Sequence, residues 1–452
     1  ELRAHDWNGD GRDDILLYGA TNLQVAISNG DSFPTIVDTG IAHEGAAFAY
    51  RLDVNGDGLA DLVTFASNQL RLRMHNGPKP DLMLAATDGF GVTANFSYRP
   101  LTDPLVYRRG QDAAWPDQTI ESSAYVASEL RRTDGGGHGA LVTTRYFYEG
   151  LRRSLIGRGS LGFAKRTTTD LQDDGQLIVE ETMRQDYPYT GLPASVSVRL
   201  GQGPAVSEAV HDWSVLALGS GVASRRFPYV ATSTRVRREI AGTYAGAEIA
   251  RVRRTVAAID ANSGVATDET TTLTETASGV NTGSSASVRI LHTGLFNDSA
   301  NWCMGRPIAT QVTASHTQAG GDPVTRNASQ VWDGPKCRVT QWRREPGSSQ
   351  WQVTIGLAYD SFGNLANRSV AGAGMAARTT TINSGSRGQL PVSVTNPLQQ
   401  STALSWDLAT GLPLSVTDPN ALRVSWSYDS LGRLVQETQP AGTSAVWSRA
   451  VC

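Results

Sequence analysis

Two nine-residue stretches set the reading of this chain: "DWNGDGRDD", Asp6 to Asp14, and "DVNGDGLAD", Asp53 to Asp61. Both place Asp, Asn, Asp and Asp at positions 1, 3, 5 and 9. Oxygen-bearing side chains on alternate residues, with glycine forcing a sharp turn between them, suit a hard cation such as calcium. An EF-hand would need a bidentate Glu at position 12, where these copies carry Leu17 and Thr64. The loop is therefore of a shorter kind, closed by the ninth residue. The expected ligands are Asp6, Asn8, Asp10, Asp14 and the Arg12 carbonyl in the first copy. In the second they are Asp53, Asn55, Asp57, Asp61 and the Leu59 carbonyl. Two structural calcium sites are thus predicted, each pinning a turn between strands. The competing reading is a metal-free Asp/Asn/Gly hairpin.

The copies match beyond the loops. An apolar run follows each, "ILLY" from Ile15 and "LVTF" from Leu62, and then an alternating strand, "LQVAISNG" from Leu23 and "LRLRMHNG" from Leu70. Asp6 and Asp53, Leu23 and Leu70, and Gly30 and Gly77 all lie 47 residues apart by subtraction. That is about the length of a propeller blade. A propeller closes with about four to eight blades, so two blades predict a piece of a longer protein.

Elsewhere the dominant period is two, as in "SVSVRL" from Ser195 and "VSWSY" from Val424. Threonine and valine are frequent, and Gly, Asn, Asp and Pro punctuate at short intervals. The fold class predicted is all-β: partial β-propeller blades followed by stacked strand repeats. Three regions are expected: blades over 1–78, a β region without a clear period over 79–295, and a second repeat system over 296–452. In the last, "YDSFGNL" starts at Tyr359, "YDSLGRL" at Tyr428 and a degenerate "WDLATGLP" at Trp406. "LPVSVTNP" and "LPLSVTDP" begin at Leu390 and Leu412, giving a unit of 22 residues. Each unit reads as an aromatic–Asp entry, a glycine turn, a strand and a Pro-containing turn. Units of this kind stack side by side, and the aromatics are expected to hold neighbouring strands together.

Composition narrows the function. Net charge is -3 over 452 residues, and lysine occurs only at Lys79, Lys165 and Lys336 among scattered arginines. No bulk attraction to nucleic acid follows. No stretch nears the roughly 18 consecutive apolar residues of a membrane helix. Cys303 and Cys337 either pair, as in an exported protein, or stay as free thiols.

Catalytic patterns fail one by one. "GRGSLG" at Gly157 to Gly162 spells a dinucleotide motif but leads into "FAKRTTTD", a strand where a helix is required. Arg158 also spoils a nucleophile elbow, and Ala47 in "HEGAA" stands where a zinc protease needs its second His. "DGGGHG" around His138 reads as a turn. Glu180 and Glu181 are adjacent and face opposite ways on a strand. No catalytic residue and no enzyme activity are expected.

The residues carry a resemblance. "YDSFGNL" and "YDSLGRL" resemble the tyrosine–aspartate repeats of Rhs proteins, and the paired loops resemble FG-GAP/VCBS repeats. "PDLMLAATDGFGVTANFSYRPLTDPLVY" from Pro80, "GRGSLGFAKRTTTD" and "DYPYTGLP" from Asp186 resemble the middle region of insecticidal toxin complex B components, also found in SpvB-type proteins. The resemblance implies an Rhs-type β-shell enclosing a C-terminal effector, a propeller docking on a pore-forming A-type partner, and a secreted or cell-surface bacterial protein. The implied role is non-enzymatic encapsulation and delivery. The alternative is a surface adhesin or wall-associated protein that binds carbohydrate or protein.

Overall fold

The computed structural model describes residues 3–8, 10–43, 48–77, 79, 81–89, 91–133, 141–172, 175–219, 221, 224–276, 283–317, 323–429, 432–440 and 444–446. Ala47, Cys452 and the stretch around His138 lie outside them. Among the described residues there is no α-helix, and the chain is all-β. It forms two compact units, 1–186 with 190–192, and 187–189 with 193–452. The division falls inside the region read as 79–295.

In the first unit, each loop-bearing repeat is an antiparallel meander. Arg3–His5, Asp14–Tyr18, Asn22–Ile27 and Thr35–Ala42 make one four-stranded sheet. Phe48–Leu52, Asp61–Ala66 and Gln69–Arg73 make a three-stranded one. Leu16, Leu23 and Val25 from the first sheet join Leu62 from the second in one buried cluster, flanked by Trp7, Ile27 and Ile41. The alternation seen in "LQVAI" is the cause: every second side chain faces this core. A second small core gathers Leu101, Val106 and Tyr107 with Tyr148 and Phe163.

In the second unit, successive strands from Pro193–Leu200 to Ser444–Val446 pair antiparallel, each with the next. Their side chains are mostly half-buried on both faces, as along Pro193–Leu200 and Ala266–Glu275. Ladder hydrogen bonds and strand-end contacts therefore carry much of the cohesion that a sealed core supplies elsewhere.

Cys303, fully buried, is bonded to Cys337. Of the two states left open by the sequence, the structure takes the disulfide.

Candidate metal loops and strand-end latches

The two loops close by the same hydrogen bonds, shifted by one repeat. Asp6 Oδ2 accepts from the Gly11 amide at 2.9 Å, and Asp53 Oδ2 from the Gly58 amide at 3.0 Å. Asn8 Oδ1 accepts from the Asp10 amide and Asn55 Oδ1 from the Asp57 amide, both at 3.0 Å. Asp10 Oδ1 accepts from the Arg12 amide at 2.9 Å and Asp57 Oδ1 from the Leu59 amide at 2.8 Å. The last two pairs are Asx turns, in which a short polar side chain bonds the backbone two residues on, and the first spans the loop.

The ninth-position aspartates behave differently. Asp14 and Asp61 are both 0% exposed. Asp14 accepts from the Trp7 amide at 2.9 Å and the Ser28 amide at 2.8 Å, one on each carboxylate oxygen. Asp61 does the same with Val54 at 3.0 Å and His75 at 2.8 Å. Each ties the start of its loop to the end of the strand two further on. Among the described residues, no group of three or more His, Cys, Asp or Glu side chains is placed to hold a metal ion. The structure thus brings Asp6, Asn8 and Asp10, and likewise Asp53, Asn55 and Asp57, together around a turn. It ties Asp14 and Asp61 to backbone amides through both carboxylate oxygens, as it ties Asp6 to the Asp10 and Gly11 amides, and differs in burying the ninth-position pair completely. The oxygen-only donors at positions 1, 3 and 5 still fit the chemistry of calcium.

Several residues at these loops had no signal in the sequence. Arg51 donates to the Asp6 carbonyl of one loop and the Ala60 carbonyl of the other, with its guanidinium 5.1 Å from the Trp7 ring centre. The second loop is also clamped from outside its repeat. Thr102 donates to the Gly56 carbonyl, Tyr125 to the Asp57 carbonyl at 2.6 Å, and Lys79 to the Gly58 carbonyl at 2.9 Å. A Cβ on Gly58 would lie 2.5 Å from the Ser123 carbonyl, and its φ of +80° favours glycine besides. Burial works against the charge of Asp53, yet hydrogen bonds from Ser123 and the Gly56 to Gly58 backbone hold its carboxyl below the usual value.

In the second unit the aromatic–Asp phrases mark a recurring strand-end latch. Tyr359 OH donates to the Val339 carbonyl at 2.7 Å, Trp406 Nε1 to Pro391 at 2.6 Å, and Tyr428 OH to Pro413 at 2.8 Å. In each case the acceptor lies on, or just before, the preceding strand. The aromatic's own strand slips register against the following strand at that same residue. A β-bulge re-aims a side chain in this way and adds local twist. Trp332 and Trp213 show the same pair of features, donating to Pro307 at 2.8 Å and Pro193 at 2.7 Å. Sequence reading missed both. "WDG" at Trp332 held the signal in degenerate form, and Trp213 lacks the following Asp. Tyr359→Phe is expected to cost about 1 kcal/mol in chemical denaturation, the worth of one such bond. No change would remove the latch role.

The Asp of each phrase closes the turn. The Asp407 amide donates to the Leu412 carbonyl, and Asp407 Oδ1 accepts from Ala409 at 2.9 Å. Asp429 closes a turn one residue shorter, with the Arg433 carbonyl accepting from its amide and the Arg433 amide donating to its carboxylate. Hydrogen bonds from the Ala409 amide and the Thr410 side chain hold the Asp407 carboxyl below its usual value. A depressed carboxylate lends its stability above the unfolded pKa and loses it as pH falls through the folded one. Unfolding midpoints are therefore expected to stay flat above about pH 5 and to drop below about pH 4. A drop that began near neutrality would contradict this.

The turns at the other strand ends use the five-residue path of Asp429–Arg433 without glycine. Asn396 and Asp418 accept at Oδ1 from Gln400 and Leu422, and the fourth residues, Gln399 and Ala421, take φ of 63° and 65°. Left-handed backbone costs a non-glycine residue about 1–2 kcal/mol. Ala421→Gly is expected to raise stability by about 0.5–1 kcal/mol after glycine's own entropy is counted. A thermal melt that falls instead would contradict the assignment of strain. Each 22-residue unit is thus two strands with an Asp–Gly turn at one end and an Asx–Pro turn at the other.

The glycine stretch at Gly157 leads into the strands Gly159–Gly162 and Lys165–Gln172, with no helix to face a pyrophosphate. Glu180 and Glu181 have separate partners, Lys165 at 3.2 Å and Arg166 at 2.5 Å.

Comparison with known proteins fits this architecture. Residues 6–64 match the FG-GAP-like repeat family, and residues 406–444 match the RHS repeat family. No curated protein matches the chain. Among solved structures, TcdB2–TccC3 aligns at 11% identity over 97% of this chain and 29% of its own, with a TM-score of 0.66. TcdB2–TccC3 without its hypervariable C-terminal region aligns over 99% and 29%, at 11% identity and a TM-score of 0.68. The Photorhabdus luminescens Tc holotoxin pore aligns over 97% and 28%, again at 11% and 0.68. The fold resembles that of the Tc components. The chain spans under a third of their length. Among the described residues no helix is long and apolar enough to cross a membrane.

Proposed function

We propose that this chain is a non-enzymatic shell and docking segment of a secreted Tc/Rhs-type toxin. Its Rhs-type strands would wall in a C-terminal effector, and its FG-GAP-type blades would belong to a propeller that docks on a pore-forming A-type component. The observation that carries this reading is the order of parts. FG-GAP-like and RHS matches stand at the two ends of a fold that aligns with Tc structures over 97% of the chain. The half-buried strand faces support it too, because a sheet with two half-exposed faces suits a wall around cargo. In this role the latches hold strand to strand where no interior core does. Calcium, held by Asp6, Asn8 and Asp10 and by Asp53, Asn55 and Asp57, would stiffen the blade loops by screening carboxylates crowded into one turn.

The decisive experiment expresses the complete gene product and digests it with a broad protease. Protection of a segment C-terminal to the Rhs repeats, lost on mild unfolding, is the expected result. A gene that ends in a wall anchor, or a downstream segment cleaved at the rate of an open chain, would overturn the proposal.

A further inference from the structure

The strand Met375–Asn383 is paired along one edge and open along part of the other. On one side it runs against Leu365–Gly372, from Asn367 opposite Thr381 to Gly372 opposite Met375. On the other side Ser393–Thr395 meets only Thr381, Ile382 and Asn383. Thr395 is the last residue before the Asn396–Gln400 turn, so this neighbour turns back there. Among the described residues, Met375 to Thr380 have no strand partner on that side. Burial shows the same step. Every residue from Met375 to Thr379 is exposed, and the alternation of a half-buried strand resumes only at Thr380.

Backbone geometry sets what the edge offers. Asn383 turns its carbonyl toward Ser393–Thr395, accepting from the Val392 amide at 2.7 Å. Peptide groups alternate sides along an antiparallel strand, so Thr379 turns its N–H and C=O to the same side, where it is open. An edge of this kind is a template for another strand, and proteins commonly blunt it with proline, lysine or a covering segment. The stretch "MAARTT" from Met375 contains neither proline nor lysine.

Charge decides what fits. From Ser361 to Trp406 the sequence holds three arginines, Arg368, Arg378 and Arg387, and no Asp, Glu or Lys. Val370 opposes Arg378 and Arg368 opposes Thr380, which makes Arg368 and Arg378 diagonal neighbours on one sheet face. Both are exposed, and among the described residues neither has a carboxylate partner. A second copy of the chain would bring the same acid-free strand, and like charges opposed across a strand pair destabilise it. We infer that this edge takes up an extended acidic segment of a partner polypeptide as an added strand. Backbone bonds at Thr379 hold the segment, and its carboxylates meet Arg368 and Arg378, so main chain gives affinity and side chains give selectivity. The inference is independent of the shell proposal, since neither the propeller blades nor any cargo takes part in it.

Fluorescence polarisation on the whole chain tests this with three labelled peptides: EVETEVE, its lysine counterpart KVKTKVK, and EPEPEPE, which keeps the charge and loses the amides that would bond the edge. EVETEVE is expected to bind saturably, about tenfold or more tighter than either of the others. It should also slow hydrogen exchange over Met375 to Thr380. Thr379→Pro should abolish binding while sparing the existing ladder, because its N–H faces away from Leu365–Gly372. Arg378→Glu, at an exposed position, should remove the preference for the acidic probe. If Thr379→Pro fails to fold, Arg378→Glu and EPEPEPE still decide the matter. The inference is overturned if EVETEVE does not saturate, if EPEPEPE binds equally well, or if exchange over Met375 to Thr380 is unchanged. A dimer in analytical ultracentrifugation that Thr379→Pro dissolves would give the edge to a second copy and overturn it as well.

Discussion

Asp61→Ala is expected to lower the unfolding free energy by about 3–5 kcal/mol, and by the same amount in calcium and in chelator. The carboxylate is fully buried and serves two backbone amides, those of Val54 and His75. Alanine would leave both amides without partners in a place that water does not reach. Asp14→Ala should behave alike through Trp7 and Ser28. Asp57→Ala is the contrast. In chelator it loses the Asx-turn bond to Leu59, worth about 1 kcal/mol, and in calcium it loses more. Urea denaturation with and without calcium separates the two. If Asp61→Ala proves calcium-dependent, the ninth residue is a ligand after all. If Asp57→Ala costs the same in both conditions, the loops hold no calcium.

The second large effect concerns Cys303 and Cys337, which lie 34 residues apart in sequence. Closing a loop of that length restricts the unfolded chain by about 4 kcal/mol in the entropic account. The double Cys→Ser variant should lose about that much, and wild-type protein in dithiothreitol should match it. The bond joins the start of the strand Cys303–His316 to the turn before Arg338–Arg344, beside the Trp332 latch. A loss confined to a few tenths of a kcal/mol would mean that the surrounding ladder already holds these ends in the unfolded ensemble.

Much of the fold was legible because its signals are local. The 47-residue offset, the period of two and the Asx–Gly turns depend only on neighbours along the chain. The aromatic–Asp phrases also announced a cohesive role that the hydrogen bonds of Tyr359, Trp406 and Tyr428 bear out. The degenerate copies were harder. At Trp213 and Trp332 the partner is a carbonyl on the adjacent strand, and any aromatic with an N–H or O–H reaches it from a bulge. Nothing in the spelling of the sequence has to mark such a contact.

By itself, then, the sequence determined that the chain is all-β, that its first part repeats, and which residues turn its loops. Tertiary structure alone decided what those residues are attached to. It made Asp14 and Asp61 bridges between the start of the loop and the end of a later strand, because a fully buried carboxylate must find donors and each of these segments supplied one. It set Arg51 between the two loops and Lys79, Thr102 and Tyr125 against the second, where loop carbonyls needed donors. It also closed the disulfide and opposed Gln330 to Trp342. Each of these is a meeting of residues distant in sequence. Strand register and packing fix such meetings, and no local pattern encodes them.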